Sequence, residues 1–337
     1  MTRPWYRYWA QRPEEFHVEH GEPALEAPHD PTAVAADTAA APSTPAAPVA
    51  ASEFHVEQTA VTGETPVPTP ATPHFARARV LTVANQKGGV GKTTTAVSLA
   101  AALADIGARV LLVDLDPQGN ASSGVGLRMQ PGQATIYDVL VGDTDLVDAI
   151  EPTSVRNLFV VPATVDLAGA EIELVTAFSR EQKLRRALEG VRGDFDVVLI
   201  DCPPSLGLLT VNALSAADGV IVPIQCEYYA LEGLGALQHN ADLIKANLNP
   251  QLEITGFVMT MMDGRTRLSQ QVVDEVVSHF GDRVFQTRIP RSVRLAEAPS
   301  YGQPITVFDP GSRGAQSYRS LAMELIERLA EDAGVRA

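Results

Sequence analysis

The sequence predicts an α/β protein whose mostly parallel, twisted sheet is flanked by helices on both faces. Two observations carry this expectation. From Arg79 onward, short unbroken apolar runs rich in valine, leucine and isoleucine recur, too uniformly apolar for strands with one wet face. Stretches with helical period separate them, the alternation that builds parallel strands through crossover helices. A third observation sets a boundary, because residues 1–76 show neither period.

Residues 1–76 hold 12 of the chain's 24 prolines and runs such as AAAPSTPAAPVAAS. Three arginines (Arg3, Arg7, Arg12) oppose ten acids there, so this stretch supplies −7 of the chain's −15. Such a composition cannot bury enough apolar surface to offset its ordering entropy. A disordered acidic tail is therefore expected over 1–76, with the folded domain over 77–337. The opening MTRPWYRYWAQRPEEF lacks an apolar core, so it does not read as a signal peptide. Within the tail, Glu15-Phe16-His17-Val18-Glu19 recurs as Glu53-Phe54-His55-Val56-Glu57. The repeat is either duplication drift or a pair of short motifs, each offering an aromatic anchor to a polar or scaffold protein.

In the folded part, RVLTVA (79–84) reads as a buried strand, followed by a glycine-rich loop and the helix KTTTAVSLAAALADIG, which stops at Gly107. RVLLVDLD (109–116), LFVVPA (158–163), DFDVVLIDCPP (194–204), GVIVPIQ (219–225) and EITGFVMTMMD (253–263) are the next strands, with helical stretches between. RVFQTRIP (283–290) precedes a loop, and RSLAMELIERLAEDAG (319–334) reads as an acidic terminal helix. No window of about 18 apolar residues is present, so no membrane span is expected. Cys202 and Cys226 lie too far apart for a metal knuckle and sit among apolar residues, which fits buried thiols in a reducing cytoplasm. The charge of −15 argues against a generally basic nucleic-acid binder but leaves room for a local basic face.

The decisive segment runs Asn85-Gln86-Lys87-Gly88-Gly89-Val90-Gly91-Lys92-Thr93-Thr94-Thr95, between a strand and a helix. Its glycines let backbone N–H groups close around phosphate oxygens, and the helix N-terminus adds positive potential. Lys92 is placed for the β- and γ-phosphates of a nucleotide and the Thr93 hydroxyl for Mg²⁺. Gln86 stands where the strict phosphate-loop pattern has its first glycine, and a second lysine, Lys87, follows it. Asp114-Leu115-Asp116-Pro117-Gln118-Gly119-Asn120 closes the second strand, and both carboxylates lie at its carboxyl end, where ligands of α/β sheets sit. Val197-Val198-Leu199-Ile200-Asp201 is an apolar strand ending in one acid, suited to hold Mg²⁺ through water. Between Arg265 and Arg294 stand six arginines and only three acids, which is either a solvated charged face or a phosphate-binding surface.

The KGGVGKT segment resembles the deviant Walker A loop of the ParA/MinD group of P-loop ATPases, and the whole of residues 79 to about 330 resembles the ParA/Soj branch. The resemblance implies a P-loop NTPase fold and Mg²⁺-dependent hydrolysis of ATP. It implies nucleotide contacts from Lys87 through Thr94, with Lys87 reaching across an ATP-closed homodimer to the partner's phosphates. It assigns Asp116 to the attacking water, Asp114 to support of the magnesium shell and Asp201 to the metal. Ile289 through Ser300 resembles the family segment near adenine, so Pro290 and Ser292 map onto base-contacting positions, although asparagine is usual where Ser292 stands. Arg265 and Arg294 match positions that contact double-stranded DNA without reading sequence. A ParB-type centromere-binding protein is the implied stimulating partner, and chromosome or plasmid segregation in the nucleoid region of the cytoplasm the implied role. A MinD-like positioning ATPase shares the loop but ends in a basic membrane helix, whereas this chain ends MELIERLAEDAGVRA. A nitrogenase-reductase-like protein needs cluster cysteines that Cys202 and Cys226 do not supply. A scaffold acting through its tail, with a weakly active ATPase domain, is the remaining alternative.

Overall fold

The computed structural model describes residue 75, residues 77–227 and residues 234–332. All of these belong to the unit Pro70–Ala337. Apart from Phe75, which packs against the core, the expected tail with both EFHVE copies lies outside the described residues.

The strands are β1 (Arg79–Val83), β2 (Val110–Asp114), β3 (Glu151–Pro152), β4 (Leu158–Val161), β5 (Val197–Asp201), β6 (Gly219–Gln225), β7 (Glu253–Met262) and β8 (Val284–Pro290). They form one sheet in the order β3-β4-β2-β5-β1-β6-β7-β8. Every pairing is parallel except β3 with β4. The helices are α1 (Lys92–Asp105), α2 (Asn120–Gly124), α3 (Ile136–Leu140), α4 (Leu167–Glu173), α5 (Lys183–Glu189), α6 (Leu208–Ala216), α7 (Leu234–Asn247), α8 (Arg267–Phe280), α9 (Val293–Glu297), α10 (Ile305–Phe308) and α11 (Arg313–Asp332).

The central strands are buried along their whole length, β2 and β5 at every residue, which is why they read as unbroken apolar runs. One layer of the core takes alternate residues of three neighbouring strands: Leu81 and Val83, Val110 and Leu112, Val197 and Leu199. That alternation is the period-two rule for one sheet face. Against this face lie α1 and α11, which contribute Leu99, Leu103, Tyr318, Leu321 and Leu325. The alanines of α1 favour helix and leave room for close approach to the sheet. Where the two helices meet, the Tyr318 hydroxyl, buried and pushed up in pKa by that burial, lies 3.2 Å from the Thr95 hydroxyl.

The terminal helix begins at Arg313, six residues before the apolar pattern suggests, because Ala315 and Tyr318 already reach the core. The carboxyl ends of β1, β2, β5, β6, β7 and β8 share one edge of the sheet, and the glycine-rich loop opens there.

Candidate active site

The loop from Asn85 to Gly91 is held from behind by two side chains. The Asn85 amide donates to the Pro223 carbonyl at 2.8 Å, while its oxygen accepts from the Lys87 N–H at 3.0 Å. The Thr260 hydroxyl donates to the Val90 carbonyl at 2.8 Å. The loop is thereby stitched to β6 and β7. Gly89 and Gly91 have φ of 75° and 87°, a left-handed backbone that costs a side-chain-bearing residue about 1–2 kcal/mol. Lys92 is buried and arches back so that its ammonium donates to the Lys87 carbonyl at 3.2 Å. Burial lowers its pKa, and the Asp201 and Asp116 carboxylates oppose that fall. Among the described residues, the Lys87 ammonium has no hydrogen-bond or ion-pair partner. Thr93 and Thr94 open α1, half-buried, at the mouth of the loop.

Three acids converge on the same edge. Asp114 and Asp201 end adjacent strands β2 and β5 and are register partners. Asp114 is answered by protein donors: the Ser122 hydroxyl at 2.7 Å, the Ser122 N–H at 2.8 Å and the Asp116 N–H at 3.2 Å. Burial still raises its pKa to about 6. Asp201 is fully buried, and among the described residues neither of its oxygens has a hydrogen bond of full geometry, although the Thr93 hydroxyl faces it closely enough to lower its pKa. Burial, and after it the charge of Asp114, holds Asp201 well above the ordinary carboxylate range. Asp116 sits just past the strand end, its carboxylate accepting from the Gln118 N–H at 3.0 Å. That turn closes at Gly119, whose φ is 63° and where a Cβ would lie 2.9 Å from the Ala163 carbonyl oxygen.

Pro290 ends β8 and Ser292 precedes α9, so both lie on the same edge. The Arg291 N–H donates to the Met262 carbonyl at 3.0 Å and fixes the segment against the end of β7. There Met261 adopts φ of 53°, and its methyl lies 4.0 Å from where a Cβ on Gly91 would be. A cavity of about 370 Å³ runs beside the first turn of α1, lined by Thr93, Thr94, Ser98, Asn120, Leu295 and Pro304. A larger one of about 840 Å³ lies at the opposite, amino-terminal edge between Arg79, Asp218, Glu253 and Arg328, remote from these acids.

Residues 78–254 match a family model described as an AAA domain. A 247-residue stretch, 73% of the chain, is 57% identical to the sporulation initiation inhibitor protein Soj of Bacillus subtilis and covers 98% of it. The chain belongs to the ParA/Soj family of chromosome-partitioning ATPases. The ParA chromosome partitioning protein of Myxococcus xanthus is 53% identical over 250 residues, covering 74% of the chain and 88% of that protein. A solved structure from Mycobacterium smegmatis, described as cobyrinic acid a,c-diamide synthase with bound ADP and magnesium, superposes with a TM-score of 0.67 at 41% identity. That alignment covers 76% of this chain and 96% of the other.

This ParA/Soj-family protein is thus an ATPase with the P-loop fold, and ATP and Mg²⁺ are its substrate and cofactor. The residues present fit the metal: Asp201 is a buried carboxylate whose oxygens, among the described residues, lack a hydrogen bond of full geometry, beside a loop whose threonine hydroxyl follows Lys92. The structure brings Lys87, Lys92, Asp114, Asp116 and Asp201 to one edge. It also gives each arginine singled out in the sequence an acidic partner. Arg265 forks onto Asp263, with both contacts at 3.0 Å, and this hydrogen bonding holds Asp263 down at about 2. Arg294 pairs with Glu297 at 3.1 Å and Asp309 at 3.3 Å. Both arginines follow the carboxyl ends of neighbouring strands, β7 and β8. Sequence reasoning missed Ser122, Asn85 and Thr260, the three side chains that fix Asp114 and the loop. Among the described residues no helix is long and apolar enough to cross a membrane.

Proposed function

We propose that this ATPase is a dimerising, DNA-tethered switch that segregates chromosomes or plasmids. ATP binds the loop from Lys87 to Thr94, with Lys92 on the β- and γ-phosphates and the base beside Pro290 and Ser292. Thr93 and Asp201 hold Mg²⁺, with Asp114 supporting its water shell. The metal, when bound, neutralises phosphate charge as the terminal phosphoryl group departs. Asp116 orients the attacking water and accepts its proton, on a turn fixed by Asp114 and Gly119. Lys87 reaches the phosphates of a second copy, so that ATP closes the homodimer. The closed dimer binds double-stranded DNA through Arg265 and Arg294 without reading bases, and a ParB-type centromere-binding protein stimulates hydrolysis and release. The protein then resides in the cytoplasm on the nucleoid, while residues 1–76 address a polar or scaffold protein.

The observation that supports the dimer is the Lys87 ammonium, unpaired among the described residues, on a loop where Lys92 is turned inward onto the Lys87 carbonyl. The test is ATP-dependent binding to random-sequence duplex across a salt series, with sedimentation in parallel. ATP should produce a dimer and salt-sensitive, sequence-blind binding. A monomer with ATP, or equal DNA binding without nucleotide, defeats the reading.

A further inference from the structure

The two arginines singled out for phosphate stand at separate places in the chain, yet each guanidinium is already held by carboxylate. Just past β7, Asp263 accepts from the Arg265 side chain with both oxygens and from the Arg265 N–H at 3.1 Å. The Asp263 backbone is fixed in turn. Its N–H donates to the Ser269 hydroxyl at 3.4 Å, and its carbonyl accepts from the Thr266 hydroxyl at 3.0 Å. Arg265, by contrast, leaves 90% of its side chain exposed. The acid is therefore the anchored member of the pair, and the arginine is the one free to turn.

Arg294 is held from more sides. Glu297, one turn along α9, and Asp309, just past α10, both reach its guanidinium, which lies 5.6 Å from the centre of the Phe308 ring. That ring stacks in turn on Tyr301, with centres 4.8 Å apart. One cation against one carboxylate, and one cation against two, leave no surplus positive charge within either group. Exposed pairs of this kind add little to stability, so the fold does not depend on them. Their consequence falls on an approaching anion. A carboxylate and a phosphate offer a guanidinium the same fork of acceptor oxygens, so the two compete for one set of donors.

We propose that Asp263, Glu297 and Asp309 are built-in competitors for DNA phosphate, which hold Arg265 and Arg294 neutralised and so set the strength with which the protein grips DNA. The inference rests on the DNA-binding reading given above and adds the control of its strength. To bind, a phosphate displaces carboxylate from a guanidinium, and the displaced acid stays close enough to repel the DNA backbone. In the closed dimer each group occurs twice, and contacts formed together outweigh the competitors. A single protomer has one copy of each, and its acids retake the arginines once a phosphate leaves. Release on opening of the dimer then follows from charge already present in the chain.

The experiment measures binding of the full chain, with ATP and Mg²⁺, to a fluorescent random-sequence duplex across a salt series, and the dissociation rate after excess ADP is added. Asp263→Asn and a Glu297→Gln, Asp309→Asn double variant are compared with wild type and with Asp263→Glu. The amide in Asp263→Asn still accepts from the Arg265 N–H, so the turn is kept while the charge is lost. Affinity should rise at least about threefold in both neutralised variants, since each freed pair counts twice in the dimer. The slope of log affinity against log salt should steepen, and dissociation should slow. Asp263→Glu keeps the charge and should stay near wild type. If wild type binds and both neutralised variants match it in affinity and slope, the competitor role alone is overturned. Weaker binding by Asp263→Asn, with wild-type melting and ATP dimer, makes Asp263 a positioning group for Arg265 and also overturns the proposal. Wild type that fails to bind DNA with ATP defeats the DNA reading itself, and the proposal with it. Equal melting temperatures exclude misfolding, and the two neutralised variants lie on separate elements, so each tests the proposal without the other.

Discussion

Asp114 and Asp201 stand at the same register position on adjacent parallel strands. Two buried carboxylates side by side on neighbouring strands repel each other, and the fold resolves this by treating them differently. Asp114 receives three donors from Ser122 and Asp116 and so acts as an anchor for the turn. Asp201 receives none from Ser122 or the backbone and faces only the Thr93 hydroxyl, which leaves its oxygens suited to the proposed cation. One pairing therefore yields a fixed post and an open ligand side by side.

Asp116 lies beyond that pair, at the end of the turn that Asp114 anchors. Asp116→Ala should lower turnover by about 10²–10⁴-fold, the range of a lost water-positioning base. Binding of Mg²⁺-ATP should persist, measured by calorimetry or a fluorescent analogue. A parallel fall in nucleotide affinity and turnover assigns Asp116 to the metal instead.

Lys87→Ala removes the ammonium that has no partner among the described residues. The variant should melt within a degree or two of wild type, yet sediment as a monomer with ATP. An undiminished ATP dimer refutes the cross-subunit role.

Arg265 and Arg294 each hold an acid on the surface, and exposed pairs of that kind contribute little to stability. Arg265→Glu or Arg294→Glu should therefore fold normally and still dimerise. DNA affinity should fall equally for all sequences, and the slope against log salt should flatten by roughly one per lost phosphate contact. Unchanged duplex binding means these arginines face solvent only.

Gly119→Ala places a methyl group in a left-handed backbone and against the Ala163 carbonyl oxygen. The expected cost is about 1–3 kcal/mol in chemical denaturation. Turnover should fall too, since Asp116 belongs to the same turn. Wild-type stability with wild-type turnover shows that the turn relaxes freely.

Cys226 is buried, and that burial pushes its thiol up to about 11; Cys202 is pushed to about 12. At pH 8 the Cys226 thiolate fraction is on the order of 10⁻³, so iodoacetamide should leave the native protein unlabelled by mass spectrometry. The folded state holds these protons more tightly than the unfolded chain does. The corresponding stability is full below the unfolded thiol pKa and is lost as pH rises through about 11 to 12. Rapid native labelling at Cys226 contradicts the burial.

Much of this arrangement is readable in the chain because it is local. The loop residues, Asp114 with Asp116, and Asp201 each belong to a strand and the few residues after it, and the unbroken apolar runs identify those strands. What escaped depends on contacts distant in sequence. Asn85 and Thr260 serve the loop through partners 138 and 170 residues away. Ser122 looks like any short polar residue until Asp114 is folded beneath it. The antiparallel β3 has only two residues, too few for any period, and the first turn of α11 lacks the apolar spacing that marks the rest.

The bond from Thr260 to Val90 has a consequence for biosynthesis. A ribosome releases the glycine-rich loop early and the strand that braces it 170 residues later. At about 5–20 residues per second, the nascent chain spends roughly 10–30 s with that loop unbraced. Nucleotide therefore meets its finished cradle only near the end of translation, and a truncated product that stops before β7 lacks the brace altogether.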